Sequence, residues 1–155
     1  MDKKSIQLAG EYYTMAKLYE KGITAVKAPE GTELFDIIIA DKKGLFGGLP
    51  IQVKSSEEAY VKIKKKTKYH KENYFKFSIG GKIHKIQGEK FVYVFVNINK
   101  GNPQFFIVPV KDIKDFVNDY EWCDDGNWVQ FEINESEKNK YLEKWDIINQ
   151  ILKKC

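Results

Sequence analysis

Residues 33–40, ELFDIIIA, make a strand-length run that is almost continuously apolar and is interrupted by a single carboxylate, Asp36. Strand side chains alternate between two faces, so a run without alternation needs cover on both, as in the interior of an α/β sheet. An unpaired carboxylate in such a run is costly, which places Asp36 at an opening or beside a cation. The neighbouring segments have strand character too: ITAVKA at 23–28 and LPIQVKSS at 49–56, separated by the turn-rich PEGT and DKKGLFGG. Links this short imply an antiparallel meander.

A helix precedes the meander. Residues 5–21 end at Gly22, which can take the left-handed conformation that closes a helix. At about 100° per residue, Leu8, Ala9, Tyr12, Tyr13, Met15, Ala16 and Tyr19 share a broad face expected to pack on the sheet. Glu11 lies at the rim of that face. Further on, FVYVFVNI at 91–98 and QFFIVPV at 104–110 read as two strands around NKGN. Asp112 can cap a helix with the stripe Ile113, Phe116, Val117 and Tyr120, with Asp115 as its capping pair. A terminal helix over 135–153 would carry Tyr141, Trp145, Ile148 and Leu152 on one face. The stretch 57–90 is polar and lysine-rich, with SIGGKI at 78–83 as a Gly-Gly hairpin turn. This order gives a single α/β domain over 1–155, a mixed central sheet flanked by helices, with a variable insert at about 57–90.

The 155 residues suffice to bury an ordinary core, and 43% hydrophobic with 31% charged residues excludes disordered and fibrous classes. The longest apolar runs, 35–40 and 91–96, fall short of the roughly 18 residues of a membrane span. The opening MDKKSIQL lacks the apolar core of a signal peptide, so the expected compartment is the cytoplasm and no membrane partner is expected. Cys123 and Cys155 stand outside any metal-ligand spacing and suit a reducing compartment. The net charge is +4 and all 26 basic residues are lysines. Lysine meets phosphate as a point charge and lacks the planar fork that reads guanine edges, so a nucleic-acid partner would be held by its backbone.

On the strand IQVK, Gln52 and Lys54 share one face while Ile51 and Val53 share the other. Alone, this is the pattern of a half-exposed strand. With Asp36 on the preceding strand and Glu11 on the opening helix, it becomes a convergence of two carboxylates, an amide oxygen and an ammonium at one sheet edge. Hard oxygen ligands suit Mg²⁺, and the lysine can orient a water or help deprotonate it. The lysine-rich stretch 61–71 supplies Lys62, Lys64, Lys65, Lys66, Lys68 and Lys71 for phosphates, with Tyr69 and His70 available to stack on a base or touch a phosphate. A solvated face is an equally good reading of that run. His84 reads as a surface or packing residue, Trp122, Trp128 and Trp145 as core, and Gly47-Gly48 as a turn.

The run GEYYTMAKLYEKG, then FDIII, then IQVK resembles the PD-(D/E)XK nuclease superfamily, whose restriction-endonuclease-like fold includes the archaeal type of Holliday junction resolvase. FFIVPVKDIKDFV and YLEKWDII are also similar to small bacterial or archaeal members. Carried over, the resemblance makes Glu11 the helix glutamate, Asp36 the metal-binding aspartate, Gln52 the acidic position and Lys54 the catalytic lysine. Phe35 stands where many members have proline. Gln52 departs further: a neutral amide oxygen still binds a hard cation but contributes one negative charge fewer, and some active branches resemble this sequence in having glutamine there. The resemblance implies one or two Mg²⁺ ions, with Mn²⁺ able to substitute, on Asp36, Gln52, the Val53 carbonyl and Glu11. It also implies in-line hydrolysis of DNA to a 5′-phosphate and a 3′-hydroxyl, often by a homodimer. Two other functions fit the same pattern: an RNA-cleaving, toxin-like nuclease, and a catalytically inert nucleic-acid-binding module.

Overall fold

A computed structural model describes residues 1–40, 48–119 and 129–154. Its centre is a five-stranded mixed sheet in the order β1-β2-β3-β6-β7. The strands are β1 (Ala25–Lys27), β2 (Ile37–Ile39), β3 (Leu49–Ser56), β6 (Val92–Asn97) and β7 (Gln104–Pro109). The expected antiparallel meander is present, since β1 pairs with β2 and β2 with β3, both antiparallel. Strand β3 then pairs in parallel with β6, aligning Gln52 with Tyr93 and Lys54 with Phe95, and β6 pairs antiparallel with β7. Parallel neighbours need a crossover connection, and the insert supplies it.

Helix α1 (Lys3–Glu20) is N-capped by the Asp2 carboxylate, which accepts from the Ser5 backbone N–H, and Gly22 beyond its end has φ +70°. Ala9, Tyr13 and Met15 of the expected arc pack against the core, but the most buried residues are Gly10, Glu11, Thr14 and Leu18, so the packing face is rotated from that arc, and Tyr12 and Tyr19 remain exposed. Small residues explain the rotation. An alanine Cβ at Gly10 would lie 1.7 Å from Ser55 Oγ, so glycine lets the α1 backbone approach β3 closely. Tyr12 and Tyr19, too bulky for that seam, turn outward, and the Tyr19 hydroxyl donates to the Ala25 carbonyl at 2.7 Å.

The insert contributes structure that the sequence pattern had left open. Strands β4 (Tyr60–Val61) and β5 (Tyr74–Ser78) pair antiparallel, and β5 pairs with β8 (Gln130–Asn134) to form a second sheet of three strands. The expected hairpin turn at Gly80-Gly81 is absent: Gly80 has φ +68° and leads into a 3₁₀ turn, Gly81–Lys85. The partner of β5 lies beyond residue 129, not across that turn. Helix α2 (Val110–Asp119) starts two residues before Asp112, so Asp112 is not its cap. Asp112 instead accepts from the Tyr141 hydroxyl at 2.7 Å and pairs with Lys140. Ile113, Phe116 and Val117 pack inward as expected, while Tyr120 lies outside the described residues.

The terminal helix over 135–153 is also corrected. A 3₁₀ turn at Glu135–Lys140 and helix α3 (Asp146–Lys153) are separated by a segment in which Leu142 bridges to Phe106 and Glu143 has φ +55°. One helix face could not have satisfied this stripe. Tyr141 enters the core between the two sheets, whereas Trp145 and Ile148 enter the core beneath α1 and α3. The central sheet is therefore covered on one face by α1 and α3 and on the other by the small sheet with α2, a mixed α/β domain with a helix-flanked central sheet. Ile37, Ile39, Ile51, Val53, Val92, Val94 and Val96 fill one core. Phe75, Phe77, Phe95, Phe106 and Phe131 fill the other, with Phe77 and Phe95 stacked at 4.9 Å between centroids. Trp145 is core as expected, whereas Trp122, Trp128, Cys123, Cys155 and Gly47 lie outside the described residues. Among the described residues no helix is long and apolar enough to cross a membrane.

Candidate active site

The site forms where the sheet forks. Continuing the β2–β3 register sets Asp36 opposite Gln52, and beyond that pair β2 leaves while β3 runs on to Ser56. The two backbone groups of a strand residue point the same way, so the Val53 N–H and carbonyl both face the vacated side, and buried backbone groups require partners. Side chains supply them. Asp36 Oδ2 accepts from the Val53 N–H at 2.8 Å, and Gln7 Nε2 donates to the Val53 carbonyl at 2.9 Å. The Gln52 amide also donates to Asp36 Oδ2.

Glu11 reaches the fork from α1 and is buried, with one oxygen accepting from Gln7 Nε2 at 3.1 Å and the other paired with Lys27 Nζ at 2.9 Å. Lys27, on β1, also lies 4.9 Å from the Tyr12 ring centroid. Its pKa is held above the usual lysine value chiefly by the hydrogen bond to Glu11. Lys54 occupies the face of β3 opposite the helix-side core, half-buried beside Asp36. It lines a cavity of about 940 Å³ with Gln7, Asp36, Gln52, Tyr93 and Lys82.

Burial sets the electrostatics. It pushes Asp36 above its ordinary value, the Val53 N–H partly offsets this, and the nearby Glu11 charge adds to the rise. Burial likewise lowers the pKa of Lys54, against the opposing pull of Asp36 and with help from the Lys82 and Lys3 charges. An aspartate harder to ionise and a lysine easier to neutralise, side by side, mark a site in which charge has been placed against its solvation preference.

The fork thus brings together Asp36, Gln52, Val53 and Lys54, with Glu11 reaching in from the helix. The lysines at 62, 64, 65, 66, 68 and 71 do not line the cavity. They are exposed on the loop joining β4 to β5, which is shaped by Thr67 Oγ1 accepting from the Tyr69 and His70 backbone N–H groups. Tyr69 is exposed, whereas the His70 ring stacks on Tyr74 at 4.3 Å and bonds to the buried Glu132 at 2.9 Å. The lysines at the cavity are Lys3, Lys54 and Lys82, of which Lys82 pairs with Glu33 at 3.3 Å.

Gln7 and Lys27 were not singled out from the sequence. The signal for Gln7 was its spacing, four residues and so one helical turn before Glu11. Lys27 had none, because its pairing with Glu11 depends on how the β1 edge meets α1. Among the described residues no group of three or more His, Cys, Asp or Glu side chains is placed to hold a metal. A cation at the fork would need Asp36 and Glu11 supplemented by the Gln52 amide oxygen and the Val53 carbonyl. These are hard oxygen donors of the kind Mg²⁺ takes.

No family model matches the chain, and no curated protein matches it. Among solved structures, the bacterial homing endonuclease I-Ssp6803I is similar over 99% of this chain and 96% of its own, with a TM-score of 0.61 and 17% sequence identity. Likeness at that identity establishes a shared mixed α/β fold along nearly the whole of both chains.

Proposed function

We propose that the chain is a metal-dependent endonuclease of the PD-(D/E)XK type that hydrolyses phosphodiester bonds in DNA. The observation that carries this reading is the fork, where Asp36, Gln52, the Val53 carbonyl and Lys54 meet at a cavity with Glu11 behind them. The fold shared with a homing endonuclease supports it. Asp36, Glu11, Gln52 and Val53 would hold one or two Mg²⁺ ions, for which Mn²⁺ can substitute. The cation supplies positive charge opposite the phosphoryl oxygens and the leaving oxygen. Gln52 would join the ligand set with its amide turned so that the oxygen replaces the NH₂ group now bonded to Asp36. Lys54, its ammonium destabilised by burial, is suited to orienting the attacking water and accepting its proton.

The deciding assay incubates the protein with supercoiled, single-stranded and branched DNA, and with RNA, in Mg²⁺, Mn²⁺ or chelator. Metal-dependent DNA cleavage that Asp36→Ala and Lys54→Ala each abolish is expected. Cleavage surviving both substitutions would refute the site assignment, and preference for RNA would favour the toxin-like alternative. A second reading, an inert nucleic-acid-binding module, draws on one feature: Gln7, Gln52 and Lys27 already bond to oxygens of Glu11, Asp36 and Val53 that a cation would use. Binding without cleavage in every metal would select it.

The lysine loop gives a separate expectation. If Lys62, Lys64, Lys65, Lys66, Lys68 and Lys71 neutralise phosphates, DNA affinity falls by roughly 10³-fold between 50 and 200 mM salt. Replacing Lys64, Lys65 and Lys66 by alanine should reduce the slope of log affinity against log salt by about 3. Fluorescence anisotropy with a labelled duplex measures both, and an unchanged slope removes the loop from the interface. A homodimer, which would let both strands be cut, is tested by light scattering with and without DNA.

A further inference from the structure

We propose that Gln7 is a positioning residue for the divalent cation, fixing the Glu11 carboxylate and the Val53 carbonyl at the mouth of the fork; this rests on the metal seat proposed above. One side-chain nitrogen of Gln7 serves both oxygens, Glu11 Oε1 at 3.1 Å and Val53 O at 2.9 Å. The first lies one turn along the same helix and the second is 46 residues away on β3, so the amide ties the helix-borne ligand to the strand-borne ligand.

The geometry suits a supporting role. A carbonyl oxygen has two lone pairs; Val53 accepts from Gln7 and, at 3.5 Å, from the Gln52 amide, and turning that Gln52 amide leaves Val53 able to keep the Gln7 N–H and face a cation. Metal ligands commonly depend on such outer hydrogen bonds for their orientation. The amide donates without bringing a charge. A lysine could make similar bonds, as Lys27 does to the other Glu11 oxygen, but a second ammonium would repel the cation it was meant to help seat. Gln7 also lines the cavity, and with both N–H groups committed to Glu11 and Val53 its amide oxygen is left to accept from a water.

The test is calorimetric titration of Ca²⁺ into the full chain, comparing wild type, Gln7→Met, Gln7→Lys and Asp36→Ala, with thermal melts as the control for folding. Gln7→Met keeps the bulk and removes the donor, and should weaken Ca²⁺ binding about 10- to 100-fold. Cleavage by this variant should be restored by raising Mg²⁺, with KM for DNA unchanged. Gln7→Lys can keep the tie between α1 and β3, so it should melt near the wild type yet bind Ca²⁺ more weakly. Ca²⁺ affinity within twofold of wild type in either Gln7 variant, alongside lost binding in Asp36→Ala, overturns the positioning role and leaves the metal seat standing. Absence of binding by the wild type, or undiminished binding by Asp36→Ala, overturns the seat and this inference with it.

Discussion

Asp36→Asn is expected to abolish Mg²⁺-dependent cleavage and at the same time to raise the melting temperature of the metal-free protein. The loss follows from the role proposed for the carboxylate. Removing the principal charged ligand forfeits charge stabilisation of the transition state on the order of 4 kcal/mol, or roughly a thousandfold in rate. The gain in stability follows from burial. Asp36 is harder to ionise in the folded chain than its ordinary value of 3.8 implies, so at neutral pH the ionised carboxylate opposes folding. An asparagine oxygen can still accept from the Val53 N–H and the Gln52 amide without carrying that charge. Substitutions of this sort stabilise by about 0.5–2 kcal/mol, on the order of 2–6 °C for a domain of this size.

The pH dependence has a definite sign. The unfavourable contribution of Asp36 is complete above its folded pKa and is relieved as pH falls through that value towards 3.8, so the difference in melting temperature should close over that acid range. Lys54 behaves in the opposite sense, since its folded pKa is depressed below 10.5: the charged form opposes folding, and the opposition lifts as pH rises through the folded value. Differential scanning fluorimetry across pH, alongside single-turnover cleavage, measures both. Asp36→Asn protein that melts below the wild type at neutral pH would show that the carboxylate is a structural ligand of the fork.

Gly10→Ala should be among the most destabilising single methyl additions in the molecule. In an isolated helix alanine would be favoured over glycine by about 1 kcal/mol. Here the added Cβ meets Ser55 Oγ at 1.7 Å and Ser55 Cβ at 2.8 Å. Turning the serine relieves the first clash and leaves the second, so α1 must lift from β3. Overpacking of this kind costs about 1–3 kcal/mol, or roughly 2–9 °C in melting temperature at this chain length. The shift would carry Gln7 and Glu11 away from Val53, so activity should fall further than stability alone accounts for. Ser55→Gly in the same chain should restore much of both, because it removes the opposing atoms and a buried hydroxyl that has no hydrogen-bond partner. A double-mutant cycle without coupling between the two positions would show that the close approach is not what limits the seam.

The site was legible in the sequence where strand periodicity governs it. Gln52 and Lys54 had to share a face opposite Ile51 and Val53, and a short-linked meander had to set Asp36 near them; both hold. The helix was legible as an element and its packing face only in part. Hydrophobic periodicity placed Ala9, Tyr13 and Met15 correctly against the core but also favoured Tyr12 and Tyr19, whereas the closest contact is made by Gly10 and Thr14, whose small size counts for more than apolarity where backbones approach closely. The same limit explains the broken terminal helix, since periodicity cannot reveal that Tyr141 and Trp145 belong to different cores. Gln7 was passed over for a third reason: its spacing from Glu11 was legible, but its importance comes from the two oxygens it joins, one of them a backbone atom with no signature of its own.

The parallel pairing of β3 with β6 reaches beyond the fold itself. Parallel neighbours cannot be closed by a tight turn, so a long excursion between Ser56 and Val92 is compulsory. This chain fills the excursion with a lysine-bearing loop and two of the three strands of a second sheet, and the residues at the fork take their register from strands on either side of it. Part of the excursion is bound to the fork, since Lys82 lines the cavity beside Lys54 and Phe75 and Phe77 complete the second core, so the stretch free to vary is the exposed loop between β4 and β5.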